Sequence, residues 1–194
     1  MKYKILQEKV IFNNFLKIVK ATIQHQLFDS NKTVKIERYA LDKNDAVAAV
    51  LYEKDTDTFL FANQFRYPIL KKNKGNAWLL ELVAGTVEGN EEPKERMKKE
   101  IEEEIGYKTN NMHFIHSFFV TPGICSEKIF LYYSEVNSTD KIFKGGGVKE
   151  ENEDIQLVKI KPKQVTDLLK KNQIQDAKTI IGLQWYLLNK RKFN

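Results

Sequence analysis

Apolar and polar residues alternate from the start of the chain. KILQEKVIF (4–12), FLKIVKATIQHQLF (15–28) and KTVKIERYAL (32–41) read as short strands separated by Asn13-Asn14 and Asp29-Ser30-Asn31-Lys32, and they predict a small antiparallel β appendage over residues 1–44. The main domain is expected over 45–194. AVAAVLYE (46–53) and TFLFANQFRYP (58–68) are hydrophobic strands joined by the polar turn Lys54-Asp55-Thr56-Asp57, with Pro68 closing the second. LKKNKGNA (70–77) is a polar loop and WLLELVAG (78–85) one further strand. NMHFIHSFFV (111–120) and KIFLYYSEV (128–136) are strands flanking a turn at 121–126. After Gly145-Gly146-Gly147 come the strand DIQLVKI (154–160) and two helices, about 162–171 and 176–190. Strands first and helices late predict an α/β sandwich on a mixed sheet.

Between these strands the period changes. Pro93 suits a first helical turn and Gly106 a left-handed cap, so a helix is expected from Pro93 to Ile105. Residues three and four apart share a face, which gathers Glu100, Glu103 and Glu104 beside the apolar stripe of Met97, Ile101 and Ile105. Like charges on one face repel, and more strongly as water is withdrawn. A charged, solvated surface helix would carry such residues; so would a site for a hard cation, since carboxylate oxygens suit Mg²⁺ or Mn²⁺.

The spacing separates these readings. Gly85, Glu91, Glu100, Ile101, Glu103, Glu104, Gly106 and Tyr107 fall on the positions of G-x5-E-x7-R-E-U-x-E-E-x-G-U, where U is bulky and apolar, so the segment resembles the Nudix box. Lys99 departs from it, standing where the family has arginine. An ammonium cannot reproduce a planar two-pronged contact to a glutamate. Beyond the box, QFRYP (64–68), WLLELVAG, TPGICSEKIFLYY (121–133), GGVKEENEDIQLVKI (146–160) and IIGLQWYL (180–187) are similar to strings of ADP-ribose pyrophosphatases. GDP-mannose hydrolases share much of this and UDP-sugar hydrolases are close relatives.

The resemblance implies a mixed sheet between helices and divalent-metal-dependent hydrolysis of a nucleoside diphosphate sugar, ADP-ribose giving AMP and ribose 5-phosphate. GDP-mannose or another nucleotide sugar is the alternative substrate. It implies Mg²⁺, with Mn²⁺ a possible substitute, held by Glu100, Glu104 and the carbonyl of Ala84, with Glu103 binding metal or orienting water. Glu151 matches the general base of the late acidic loop, with Glu150 a live alternative, and Glu153 matches a further metal ligand. Arg66, Arg38 and Glu127 match substrate contacts. Read from residue type alone, the arginines are equally strand-end ion pairs and Glu127 a turn-capping acid. The family commonly forms homodimers through its N-terminal strands, and exposed edge strands make a dimer physically sensible here.

Composition narrows the setting. With 42% hydrophobic residues in 194, the chain can bury a substantial core. No apolar run is long enough to span a membrane, and Gln7 and Glu8 interrupt what a signal peptide would need, so a cytoplasmic location is expected. A single cysteine, Cys125, forms no intramolecular disulfide, and no histidine lies near it to activate it as a nucleophile. The net charge of +6 comes from scattered lysine pairs and not from one stripe interleaved with aromatics, which argues against a nucleic-acid partner, although an enzyme acting on capped RNA ends is a remote reading. Gly145-Gly146-Gly147 lacks the Gly-Lys-Ser/Thr of a phosphate-cradling loop and predicts backbone freedom for a closing loop. His113 and His116 lack ligand spacing and are assigned to structure. A non-catalytic Nudix-like ligand sensor is the contrasting class, but it has no need to keep every glutamate of the box.

Overall fold

The computed structural model describes residues 1–189, the side chain of Glu151 excepted; Lys190, the expected end of the last helix, lies outside them. The chain divides into two compact units. In the first, Met1–Asp45 with Phe119–Lys128, the strands β1 (Tyr3–Asn13), β2 (Lys17–Gln26) and β3 (Thr33–Asp42) form an antiparallel sheet in that order. β1 extends one residue beyond the expected 4–12 at each end, β2 is shorter than the expected 15–28, and β3 is shifted by one residue from 32–41. Register shifts between Ile5 and Gln7 and between Val10 and Phe12 explain the adjacent apolar pairs there, because each extra residue drops out of the alternation. Residues 119–128 join this unit through Leu41, whose N–H donates to the Ile124 carbonyl at 2.7 Å and whose carbonyl accepts from the Ser126 N–H at 3.0 Å.

The second unit comprises Ala46–Phe118 and the chain from Ile129 onward. It contains β4 (Ala46–Glu53), β5 (Thr58–Phe65), a 3-10 turn at Tyr67–Ile69, β6 (Trp78–Glu81), β7 (Val83–Thr86), α1 (Pro93–Ile105), β8 (Met112–Phe119), β9 (Lys128–Val136), β10 (Ile155–Ile160), α2 (Pro162–Lys170) and α3 (Ala177–Asn189). The strand order is β10-β5-β4-β9-β8, with β6 paired to β5 and β7 to β4. β4 and β9 run parallel while β4–β5 and β5–β10 are antiparallel, so the sheet is mixed.

β4 is an unbroken apolar run because both its faces are covered. Val47, Ala49 and Leu51 meet Met97, Ile101 and Ile105 of α1, whereas Ala48 and Val50 belong to the opposite cluster with Phe59, Phe61, Val165 of α2 and Leu183 and Tyr186 of α3. Each fully buried side chain of α1 contributes roughly 1.5–3 kcal/mol.

WLLELVAG is two strands and not one. β6 follows β5 up to Glu81, the chain steps across at Leu82, and β7 then pairs with β4. The Leu82 N–H, released from the sheet, donates to Thr179 Oγ1 of α3 at 2.9 Å. At the far end of β4, the buried carboxylate of Glu53 accepts from Tyr107 Oη at 2.5 Å, from Lys159 Nζ at 2.6 and 2.7 Å, and from Thr56 Oγ1. One carboxylate thus ties β4, β10 and the end of the box together. His113 stacks near Trp185, and His116 Nδ1 accepts its neighbour's N–H. Among the described residues no helix is long and apolar enough to cross a membrane.

Candidate active site

The acidic helix runs over the expected residues. Pro93 occupies its first turn, and Gly106, at φ 76°, ends it by donating to the Glu102 carbonyl at 2.9 Å. Its apolar side faces the sheet, which carries Glu100 and Glu104 down to β7, where they are 5% and 4% exposed. Gly85 of β7 makes this approach possible: a Cβ there would land within the Glu100 carboxylate. Burial pushes Glu100 up to about 7 against the pull of Arg96, with Glu103 and Glu153 adding to the rise. Glu104 is driven well above the ordinary carboxylate range by burial, then by Glu100 and Glu153, opposed by Arg66 and the Ala84 backbone. Its Oε2 is buried with no hydrogen-bond partner among the described residues.

Glu103 points differently. It is about one third exposed and lies 3.7 Å from Arg96 Nη2, which also pairs with Glu100. Arg96 was not anticipated from the sequence, although its i,i+4 offset from Glu100 was a legible signal. Lys99 makes a single-point ion pair with Glu91, the earlier glutamate of the box. An ammonium gives that pair one contact where a guanidinium gives two.

The triple glycine is pinned rather than loose. All three residues have positive φ, and the Gly146 and Gly147 N–H groups donate to the carbonyls of Glu104 and Glu103 at 2.8 and 3.1 Å. A Cβ on Gly145 would collide with the Ile105 backbone, so glycine serves close approach to the helix end. The loop returns Glu153 to the site, where its Oε2 accepts from the Val148 N–H at 3.1 Å and its charge reaches Glu100 and Glu104. Glu150 is exposed on a short 3-10 turn, Lys149–Glu151. The Glu151 side chain lies outside the described set.

Arg66 stands where β5 ends, clamped on Glu81 of β6 through Nε at 2.8 Å and Nη2 at 3.2 Å. This is the strand-end ion pair weighed above, and its charge is felt at Glu104. Lys178 of α3 also binds Glu81. Glu81 and Lys178 carried no motif that named them, because their partners are remote in sequence. Arg38 and Glu127 belong to the first unit, where the Arg38 guanidinium donates to the Glu37 carbonyl at 2.9 Å and Glu127 pairs with Lys43 at 2.5 Å. A groove of about 590 Å³ borders the glycine loop, lined by Trp78, Asn63, Gln156, Lys144 and neighbours. In it Asn63 donates to the Gln156 amide oxygen at 3.2 Å.

Buried like-charged carboxylates are costly without a cation. Glu100, Glu104 and Glu153 supply hard oxygen donors, and the unpartnered Oε2 of Glu104 is a lone pair in need of one. This donor set fits a divalent ion of the Mg²⁺ type, which uses one or two carboxylates with waters and phosphate oxygens. Among the described residues no three histidine, cysteine or carboxylate side chains form a ready-made cage.

The chain is 32% identical over 189 residues to an ADP-ribose pyrophosphatase of Haemophilus influenzae, covering 96% of this chain and 86% of the relative. It is 26% identical over 186 residues to a GDP-mannose pyrophosphatase of Enterobacter sp., covering 95% of each. A crystal structure of an ADP compounds hydrolase shares the fold with a TM-score of 0.74 over 99% of this chain and 96% of that one, at 16% identity. The model of the NUDIX domain matches residues 42–182, and with that span and these relatives the chain belongs to the NUDIX domain family.

Proposed function

We propose that this protein hydrolyses the pyrophosphate bond of a nucleoside diphosphate sugar with Mg²⁺, converting ADP-ribose to AMP and ribose 5-phosphate. The observation that carries the reading is the buried pair Glu100 and Glu104, with an unpartnered oxygen beside the cationic Arg66. A divalent ion bound there supplies charge neutralisation and polarises the phosphate oxygens. Glu100, Glu104 and Glu153 are its side-chain ligands in this reading, with the Ala84 carbonyl, and Glu103 orients water or completes the set. Mn²⁺ is the natural substitute.

The remaining work falls to side chains. Arg66 binds a phosphate oxygen through the guanidinium edge that Glu81 leaves open. Glu151, or Glu150 beside it, takes the proton of the attacking water. The water oxygen bonds to phosphorus, the bond from phosphorus to the bridging oxygen breaks, and that oxygen departs on the other phosphate. The groove at Trp78 offers an aromatic face and an amide pair for the nucleoside. The assignment of Arg38 and Glu127 to substrate rests on their motifs alone.

GDP-mannose is the second reading, favoured by the GDP-mannose pyrophosphatases among the relatives. Incubation with each sugar, with Mg²⁺ or a chelator, followed by chromatography, separates them. Metal-dependent AMP from ADP-ribose is expected; GMP from GDP-mannose alone moves the substrate, and silence on both favours a ligand sensor. The retained box glutamates weigh against a sensor. We place the protein in the cytoplasm as a homodimer joined through β1–β3, whose residues Ile5, Val10 and Phe12 are about half exposed. Light scattering tests this, and a monomer at working concentration refutes it.

A further inference from the structure

Glu81 holds two cations, and that arithmetic matters to Arg66. The carboxylate is 3% exposed; its Oε1 accepts from Arg66 Nε at 2.8 Å, and its Oε2 accepts from Arg66 Nη2 at 3.2 Å and from Lys178 Nζ. A guanidinium paired one-to-one with a carboxylate is fixed in orientation but largely cancelled in charge. A phosphate approaching such a pair meets a dipole.

Lys178 alters this balance. Its side chain is only 11% exposed, so little of its charge is dispersed into water. Its other partner, Asp176 Oδ1 at 3.0 Å, offsets part of that charge, while Asp176 Oδ2 caps α3 by accepting from the Thr179 N–H at 2.9 Å and from Thr179 Oγ1 at 2.6 Å. The same turn receives the Leu82 N–H on Thr179 Oγ1, which fixes the step from β6 to β7.

We propose that Lys178 is a positioning residue for the hydrolysis: by sharing Glu81, it leaves Arg66 oriented yet cationic, so that the first turn of the C-terminal helix tunes binding of the substrate's pyrophosphate. The inference rests on the reading of Arg66 as a phosphate contact. In this reading Lys178 acts through Glu81 and Arg66.

A double-mutant cycle tests it. kcat and KM are measured for the hydrolysed sugar in the wild type, Arg66→Ala, Lys178→Met, the double variant and Lys178→Arg, with thermal melting alongside. Calorimetric binding of inorganic pyrophosphate with Mg²⁺ follows the same series without turnover, so the comparison stands even if neither sugar is cleaved. Arg66→Ala is expected to weaken binding about tenfold or more and Lys178→Met about fivefold, with kcat within about twofold for Lys178→Met. The double variant should be no weaker than Arg66→Ala alone, and Lys178→Arg should restore binding.

Unchanged binding in Arg66→Ala overturns the reading of Arg66 and the inference with it. Impaired Arg66→Ala beside an unchanged Lys178→Met, or additive losses in the double variant, overturns the inference alone. Should Lys178→Met fail to fold, Asp176→Asn decides: asparagine keeps the cap and releases Lys178 to Glu81, so binding should tighten, and unchanged or weaker binding overturns the proposal.

Discussion

Gly85 lies directly beneath the Glu100 carboxylate, and the space between them holds no Cβ. The first glycine of the box is therefore fixed by a side chain that follows it by fifteen positions, through contact across β7 and α1. Gly85→Ala should displace Glu100 and cut turnover at least about 100-fold, while the overpacking lowers stability by roughly 1–3 kcal/mol. Steady-state kinetics with denaturant unfolding checks this, and normal turnover would contradict the assigned place of Glu100.

Lys99 meets Glu91 at one point from an exposed position. Lys99→Arg restores the two-pronged contact, and activity should hold or rise by up to about threefold, with a stability gain below about 1 kcal/mol because the pair is solvent-screened. A marked loss of kcat in Lys99→Arg would mean that the lysine does something other than hold Glu91.

Glu104→Gln replaces a buried carboxyl whose Oε2 has no hydrogen-bond partner among the described residues. In chelator the variant should be about as stable as wild type, because burial favours the neutral acid there, while turnover falls by orders of magnitude. Added Mg²⁺ should raise the melting temperature of wild type far more than that of the variant. Equal metal-induced shifts would remove Glu104 from the ligand set.

Glu53 gives the fold an acid-sensitive pin. Burial alone would raise its pKa, but hydrogen bonds from Lys159, Thr56 and Tyr107 hold it below its ordinary 4.5. A depressed carboxylate stabilises the fold above its unfolded value, and that stability is lost as pH falls through the lower folded value. Glu53→Gln should lose about 2 kcal/mol near neutrality and show a shallower decline on acidification below about pH 4.5. Urea titrations across pH measure both; parallel wild-type and variant curves would exclude the linkage.

Much of the site was legible because helical geometry is local. The cap residues, the stripe of Met97, Ile101 and Ile105, and the convergence of Glu100 and Glu104 follow from a period of 3.6 and need no distant partner. Glu103 shares the helix but turns toward Arg96, a choice made by side-chain contacts that spacing does not encode. The break at Leu82 escaped the pattern because an apolar run looks the same whether one strand pairs throughout or two pair with different neighbours.

The sequence by itself determined most of the elements, the apolar run of β4 and the acidic helix, since each depends on residues within one or two turns of one another. Only the tertiary structure decided that Glu81 serves both Arg66 and Lys178, that Glu53 joins Tyr107 to Lys159, and that the glycine loop is pinned to the end of α1. Those pairings span 15 to 106 positions along the chain. Buried charge chooses its partner by proximity in the folded state, and proximity at that separation is a property of the sheet order rather than of any local pattern.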